Sequence, residues 1–342
     1  MTGNVCNPTR STTSKIPPDT LIAKLSKSRN SVWVGALSAE SRCTASIMAL
    51  TQQNLPIGKV HVLDYEAEIE PVSLATQLPN SQWEILRGIA RTSSIGGIHR
   101  HPVSPYAFQD LQGFVENLLS TSGADVVVFD ITCLTKIHLL ALAATLSKFP
   151  REPAWCAVYT KPESYVIQRD PGWRDMIIAP LGETGLLLNE TFSRGIIIPG
   201  HEGDRLAVAL SEMEASGGLV LIADTSGRPD LRYLTEKRNQ RVLRRLSSPQ
   251  MHAWTKRVVE EDAVDDITKY VSSEIVEAQF HKAPILLFPY GPKSLVFLVA
   301  RQLSLEYAGS SWFVYPIPLG HTAEYSEGIE RLIWMTPDIT MF

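Results

Sequence analysis

Residues 124–160 read ADVVVFDITCLTKIHLLALAATLSKFPREPAWCAVYT, and residues 283–318 read APILLFPYGPKSLVFLVARQLSLEYAGSSWFVYPIP. Each opens on an apolar run of strand length and passes through a short polar loop to a lysine. Each then continues as an amphipathic helix and closes on a second apolar run. From Lys136 to Trp155 is 19 residues, and from Lys293 to Trp312 is again 19. With the lysines aligned and no gap, Ala143, Leu146, Ser147 and Trp155 fall on Ala300, Leu303, Ser304 and Trp312. A strand–loop–helix–strand unit that occurs twice predicts two similar halves.

The repeat reaches further back. SVWVGALSAESRCTASIMAL (31–50) pairs with RGIIIPGHEGDRLAVALSEM (194–213) and sets Glu40 beside Glu202; the strands KVHVLDYE and GLVLIADTS then end on Asp64 and Asp224. The interval from glutamate to lysine is 96 residues in the first half and 91 in the second. Strands alternating with helices predict an α/β fold with mainly parallel sheets covered on both faces. The expected architecture is two tandem Rossmann-like halves related by a pseudo-twofold internal duplication. The boundaries read as a disordered Ser/Thr/Pro/Asn-rich tail at 1–20, a first half at 21–175 and a second half at 190–342, with the junction inside 161–193. Residues 66–105 read as irregular. The polar, basic stretch 228–270 reads as a helical insertion peculiar to the second half.

Composition narrows the class. At 342 residues, 44% apolar and 20% charged, the chain has the make-up of a globular protein of about two domains. A net charge of −4 supplies no general attraction to nucleic acid or anionic lipid. No apolar run approaches the roughly 20 residues of a spanning helix, so no membrane role is expected. The opening residues lack the apolar core of a secretory signal. Cys6, Cys43, Cys133 and Cys156 are scattered without CxxC spacing, which reads as reduced thiols in a cytoplasmic protein.

Ligands of open parallel sheets bind beyond the carboxyl ends of the strands. In the first half that position falls on Asp130, Thr132, Thr135 and Lys136, and in the second on Tyr290, Gly291, Lys293 and Ser294. Glycine lets a backbone approach a ligand, and a helix N-terminus offers free N–H groups to an anion. Lysine in a first helical turn is disfavoured by the helix dipole, so two at matched positions point to a phosphate held as a point charge. Glu40 and Glu202 are placed to line the same cleft, and Asp64 and Asp224 stand where a ribose-binding acid stands in a Rossmann fold. They read equally well as turn or N-cap acids. Neither GxxxxGK[ST] nor GxGxxG is present, which disfavours a dinucleotide cofactor. His99-Arg100-His101 has no nearby carboxylate, so no metal is expected. GxSxG is absent too, and no catalytic residue is assigned.

FDITCLTKIHLLALAATL resembles the strand–loop–helix signature of CARF-type (CRISPR-associated Rossmann fold) sensor domains, in which a strand ending in D-[IV]-T runs into a glycine-rich loop, a lysine and an alanine-rich helix. FPYGPKSLVFLVARQL resembles the same element with Gly291 and Lys293 kept and the acid lost. Cys133 and Leu134 stand where that family carries glycines. The resemblance covers about 20 residues in each half. It implies a fused counterpart of a twofold dimer, a cyclic oligonucleotide ligand at the twofold, a role in prokaryotic antiviral defence and an effector on a separate chain.

Lys237, Arg238, Arg241, Arg244, Arg245, Lys256 and Arg257 form a basic run, with Arg238, Arg241 and Arg245 on one helical face. With Trp254 beside them, Arg238, Arg241, Arg244 and Arg245 are the expected contacts to a protein partner. The acids that follow from Glu260 to Asp266 weigh against nucleic acid. The residues thus predict a nucleotide-binding regulatory subunit that works with a separate effector and has no cofactor beyond a nucleotide ligand. The alternative is a scaffold subunit that binds no ligand. A nucleotide-processing enzyme with Glu40 or Asp130 as base ranks third, because no nucleophile–base pair is legible.

Overall fold

The computed structural model describes residues 17–38, 40–65, 79–93, 95–149, 153–165, 172–182, 193–201, 203–225, 228–248, 253–318 and 326–336. The first half runs α1 (Asp19–Lys27), β1 (Ser31–Ala36), a 3-10 turn (Ser41–Thr44), α2 (Ala45–Gln52), β2 (Lys59–Asp64), α3 (Pro79–Thr92), β3 (Ile98–Pro102), α4 (Phe108–Thr121), β4 (Val126–Asp130), α5 (Lys136–Ser147) and β5 (Ala154–Lys161), followed by β6 (Ser164–Tyr165) and β7 (Trp173–Pro180). The second half repeats the plan. It runs β8 (Arg194–Ile198), α6 (Gly203–Glu212), β9 (Gly217–Asp224), α7 (Pro229–Arg238), α8 (Gln240–Leu246), β10 (Trp254–Glu260), α9 (Val264–His281), β11 (Ile285–Pro289), α10 (Lys293–Glu306), β12 (Ser311–Pro318), β13 (Ser326–Glu327) and β14 (Arg331–Met335).

β1, β4, β8 and β11 are apolar runs buried at every position, as central parallel strands must be when helices cover both faces. Two six-stranded sheets result, ordered β14-β5-β4-β1-β2-β3 and β7-β12-β11-β8-β9-β10. Strand for strand these are the same sheet. Within each, five strands are parallel in the order 3-2-1-4-5 and the sixth is antiparallel. Lys136 and Lys293 are the first residues of the equivalent helices α5 and α10. The duplication is therefore structural, and the fold is α/β with two Rossmann-like halves.

The sixth strand of each sheet comes from the other half. After β5 the chain crosses to lay β7 against β12, and after β12 it crosses back to lay β14 against β5. The two crossing segments pair with each other as the short antiparallel ribbon β6–β13. The boundaries read from the sequence cut across this exchange, because β7 belongs to the second sheet and β14 to the first. α5 and α10 pack on each other across the junction, each buried nearly all round. One continuous apolar core therefore runs through both halves. Trp155 meets Phe297 edge-on at 6.5 Å and Phe108 stacks on Phe313 at 5.5 Å, both across the junction. Side chains of this size stabilise a fold by about 1.5–3 kcal/mol each when fully buried.

Three expectations are corrected. The tail does not extend through residue 20, because α1 begins at Asp19 and packs Leu21 and Leu25 into the core beside Trp334. Residues 66–105 are not wholly irregular, since they contain α3 and β3. Residues 228–270 are not helical throughout, since β10 lies within them as the counterpart of β3. That stretch is the second half's version of the region after β2, not an addition. The two strands were missed for one reason. β3 and β10 are edge strands with mostly exposed side chains, so their sequences are polar and lack the apolar run that marks a central strand. The gapless alignment from each lysine to its tryptophan holds, and the two halves differ in the loop before the lysine. Five residues join β4 to α5 but only three join β11 to α10, although Trp155 and Trp312 remain in register with the equivalent residues Val127 and Leu286.

Candidate functional site

In a 3-2-1-4-5 sheet the crossovers leave β1 and β4 toward opposite faces, and the crevice between their outgoing loops is where ligands bind. The second half has closed its crevice. A side chain on Gly200 would overlap the Tyr290 carbonyl, and one on Gly291 would overlap Ile198. The Asn239 amide donates to Gly200 O at 2.7 Å and Thr235 O at 2.8 Å, holding the loop down. Gly291 thus makes room for the Ile198 side chain in this structure. Tyr290 is buried with its ring 6.0 Å from that of Tyr315.

The first half keeps polar groups at the same place. Glu40, just before the 3-10 turn, accepts from Arg42 Nε at 2.6 Å and from the Ser326 hydroxyl, which arrives on the crossing ribbon. Arg42 also donates to Thr160 O at 2.6 Å and lies 5.7 Å from the Tyr159 ring centroid. Burial by itself would raise the Glu40 carboxyl, but Arg42, Lys293 and Ser326 outweigh it and hold the group below its ordinary range. Cys43 and Cys133 stand on opposite walls, with Ser38 between them.

The two lysines cross over. Lys136 donates to Gly291 O in the second half, and Lys293 donates to Thr132 O in the first. Each ammonium sits at a helix start, where the dipole opposes it, and each is stabilised by a carbonyl of the facing loop. Burial lowers the Lys293 ammonium while Cys133 and Glu40 act the other way. Lys293 therefore belongs electrostatically to the first half's crevice, alongside Glu40 and Arg42.

The remaining expected ligand residues are dispersed. Asp130 is buried and accepts from the Ser46 hydroxyl and from Thr132 N at 2.9 Å, while Ser46 accepts from Trp33 Nε1 at 2.9 Å. Thr132 Oγ1 accepts from Thr160 N at 2.9 Å, so its side chain serves the sheet. Thr135 is the N-cap of α5, accepting from His138 N and donating to Pro105 O at 2.8 Å. Ser294 is buried and donates to Glu261 at 3.0 Å. Asp64 is paired with Arg100 of β3 at 2.9 Å, and Asp224 with Arg232 of α7 at 3.2 Å. Both acids end their strands as expected, each facing an arginine. Glu202 lies outside the described residues.

Sequence reasoning missed Arg42, whose bond to the Thr160 carbonyl spans 118 residues and left no local signal. It missed the roof as well, where Tyr165 of β6 meets the Tyr159 hydroxyl at 3.2 Å and the His201 ring at 5.6 Å, tying both halves to the ribbon. Lys161 and Glu261 form a buried ion pair at 3.2 Å between the halves. His99 and His101 stack on His61, and among the described residues no three such groups are arranged to hold a metal ion.

Of the expected partner contacts, Arg238 donates to His201 O at 3.1 Å and Arg245 pairs with Glu214 at 3.1 Å. Arg241 and Arg244 are exposed on α8, whose Val242 and Leu246 face inward. Trp254 is a packing residue, its ring filling the space left open by Gly195. Among the described residues no helix is long and apolar enough to cross a membrane. No family model and no curated protein matches the chain.

Proposed function

We propose that this protein is a nucleotide-binding regulatory subunit that takes a phosphorylated ligand at the first half's crevice and passes the signal to a separate effector chain. The observation that carries the reading is the crossing of Lys293 from the second half into the first half's crevice, beside Arg42 and Glu40. A phosphate bound there would exchange the Thr132 carbonyl for a charged partner and so bear on the contact between halves. A charge-assisted bond to phosphate is stronger than one to a neutral carbonyl. The exposed arginines of α8 are the surface offered to the effector.

One observation favours a scaffold without a ligand. Both lysines already have carbonyl partners, and the second crevice is closed by glycine contacts. Thermal denaturation against mono-, di- and cyclic nucleotides separates the two readings. A ligand at 100 times its Kd stabilises the fold by about 2.7 kcal/mol, and that gain should vanish in Lys293→Ala. Absence of a shift with every nucleotide would leave the scaffold reading standing. Chromatography of the same samples tests for turnover.

A further inference from the structure

We propose that Cys43 and Cys133, both buried, form a reversible disulfide between the two loops of the first half's crevice, making ligand access redox-dependent. The gating half of this statement rests on the function proposed above; the disulfide does not. The two sulfurs come from the two loops that define the crevice. Cys43 lies in the 3-10 turn after β1, and Cys133 in the loop after β4. β1 and β4 are adjacent parallel strands with Gly35 opposite Asp130, so their outgoing loops start side by side. Both thiols converge on one residue. The Ser38 hydroxyl donates to Cys133 Sγ at 3.2 Å, and Cys43 Sγ donates to Ser38 O at 3.9 Å.

The arrangement is specific to this crevice. The matching second-half loops, PGHEG and PYGP, have no cysteine, and Cys156 sits apart on β5, bonded to its neighbour's carbonyl. The neighbouring Cys43 thiol first, then burial and the Glu40 charge, hold the Cys133 thiol well above its ordinary range, and Lys293 acts the other way. Cys133 is therefore a thiol at neutral pH. The couple responds to sustained oxidant and is not a fast catalyst.

With hydrogen peroxide the chemistry balances. One thiol loses its proton, and its sulfur attacks a peroxide oxygen. The O–O bond breaks and water leaves, giving a sulfenic acid. The second sulfur attacks that centre, the S–OH bond breaks, and a second water departs as the S–S bond forms. The thiols lose two electrons and two protons in total, and peroxide is reduced to two waters. An S–S bond of about 2.05 Å draws the loops together. It also shifts Cys133, whose neighbour Thr132 offers the carbonyl that receives Lys293.

The test uses the full chain treated with hydrogen peroxide, alkylated, digested without reductant and mapped by mass. The expected product is a linked pair of peptides carrying Cys43 and Cys133, released by dithiothreitol and absent in Cys43→Ser and Cys133→Ser. Recovery of both cysteines alkylated after oxidation overturns the proposal, and needs only the wild-type protein. Nucleotide-induced thermal shifts are then compared in the reduced and oxidised forms. Loss of the shift on oxidation supports gating, and an equal shift in both forms overturns it. If no nucleotide shifts either form, the binding reading fails and the mapped disulfide stands alone.

Discussion

Replacing Asp130 by asparagine should make the protein more stable at neutral pH and leave it nearly unchanged in acid. Asp130 ends β4, is almost fully buried, and is pushed by burial up to about 6, although hydrogen bonds from Ser46 and Thr132 pull it down. An unfolded chain would titrate it near 3.8. Between those values the folded state holds more protons than the unfolded one, so stability falls as pH rises through the interval and stays low above it. The interval corresponds to about 3 kcal/mol. Below pH 3.8 both states are protonated and the penalty disappears. Asparagine carries no charge, and its amide can still accept from Thr132 N and donate to Ser46, at a cost of about 1 kcal/mol for less ideal bonding. The expected net gain is therefore about 2 kcal/mol at pH 7.5 and none, or a slight loss, at pH 4. Urea denaturation of both proteins at the two pH values measures it. A difference that is the same at pH 4 and pH 7.5 would refute the argument, because it would show that the carboxylate charge is not what burial penalises.

Gly200→Ala should cost about 1–3 kcal/mol, since its new methyl group would overlap the backbone carbonyl of Tyr290, which cannot swing aside. Gly88→Ala in α3, where a methyl group meets nothing, should instead gain about 0.5–1 kcal/mol; equal denaturation midpoints for the two variants would contradict the closed-crevice description. Joint reversal of Arg241, Arg244 and Arg245 to glutamate should change stability by no more than about 1 kcal/mol, because the three are exposed and the Arg245 pair with Glu214 is a surface pair. A larger loss by the same assay would show that the α8 surface belongs to the fold and is not free for an effector.

The amino-acid sequence by itself determined the plan of this molecule. Central strands such as VVVFD and ILLFP are apolar because both their faces are covered, so they announce themselves. Lys136 and Lys293 mark equivalent helix starts, and Asp64 and Asp224 equivalent strand ends, which made the duplication legible. Tertiary structure decided the rest. The edge strands IHRHP and WTKRVVE look like loop or helix because an edge strand need not be apolar. Nothing in RLIWM says that its partner lies 170 residues back, where Arg331 pairs with Lys161, because the hydrogen bonds of a strand are made by backbone groups that every residue shares. The same holds for the crevice. Its lysines were visible in the sequence, but which carbonyl each would reach depended on how the halves docked. The glycine that looked like a cradle for an anion, Gly291, instead lets Ile198 approach.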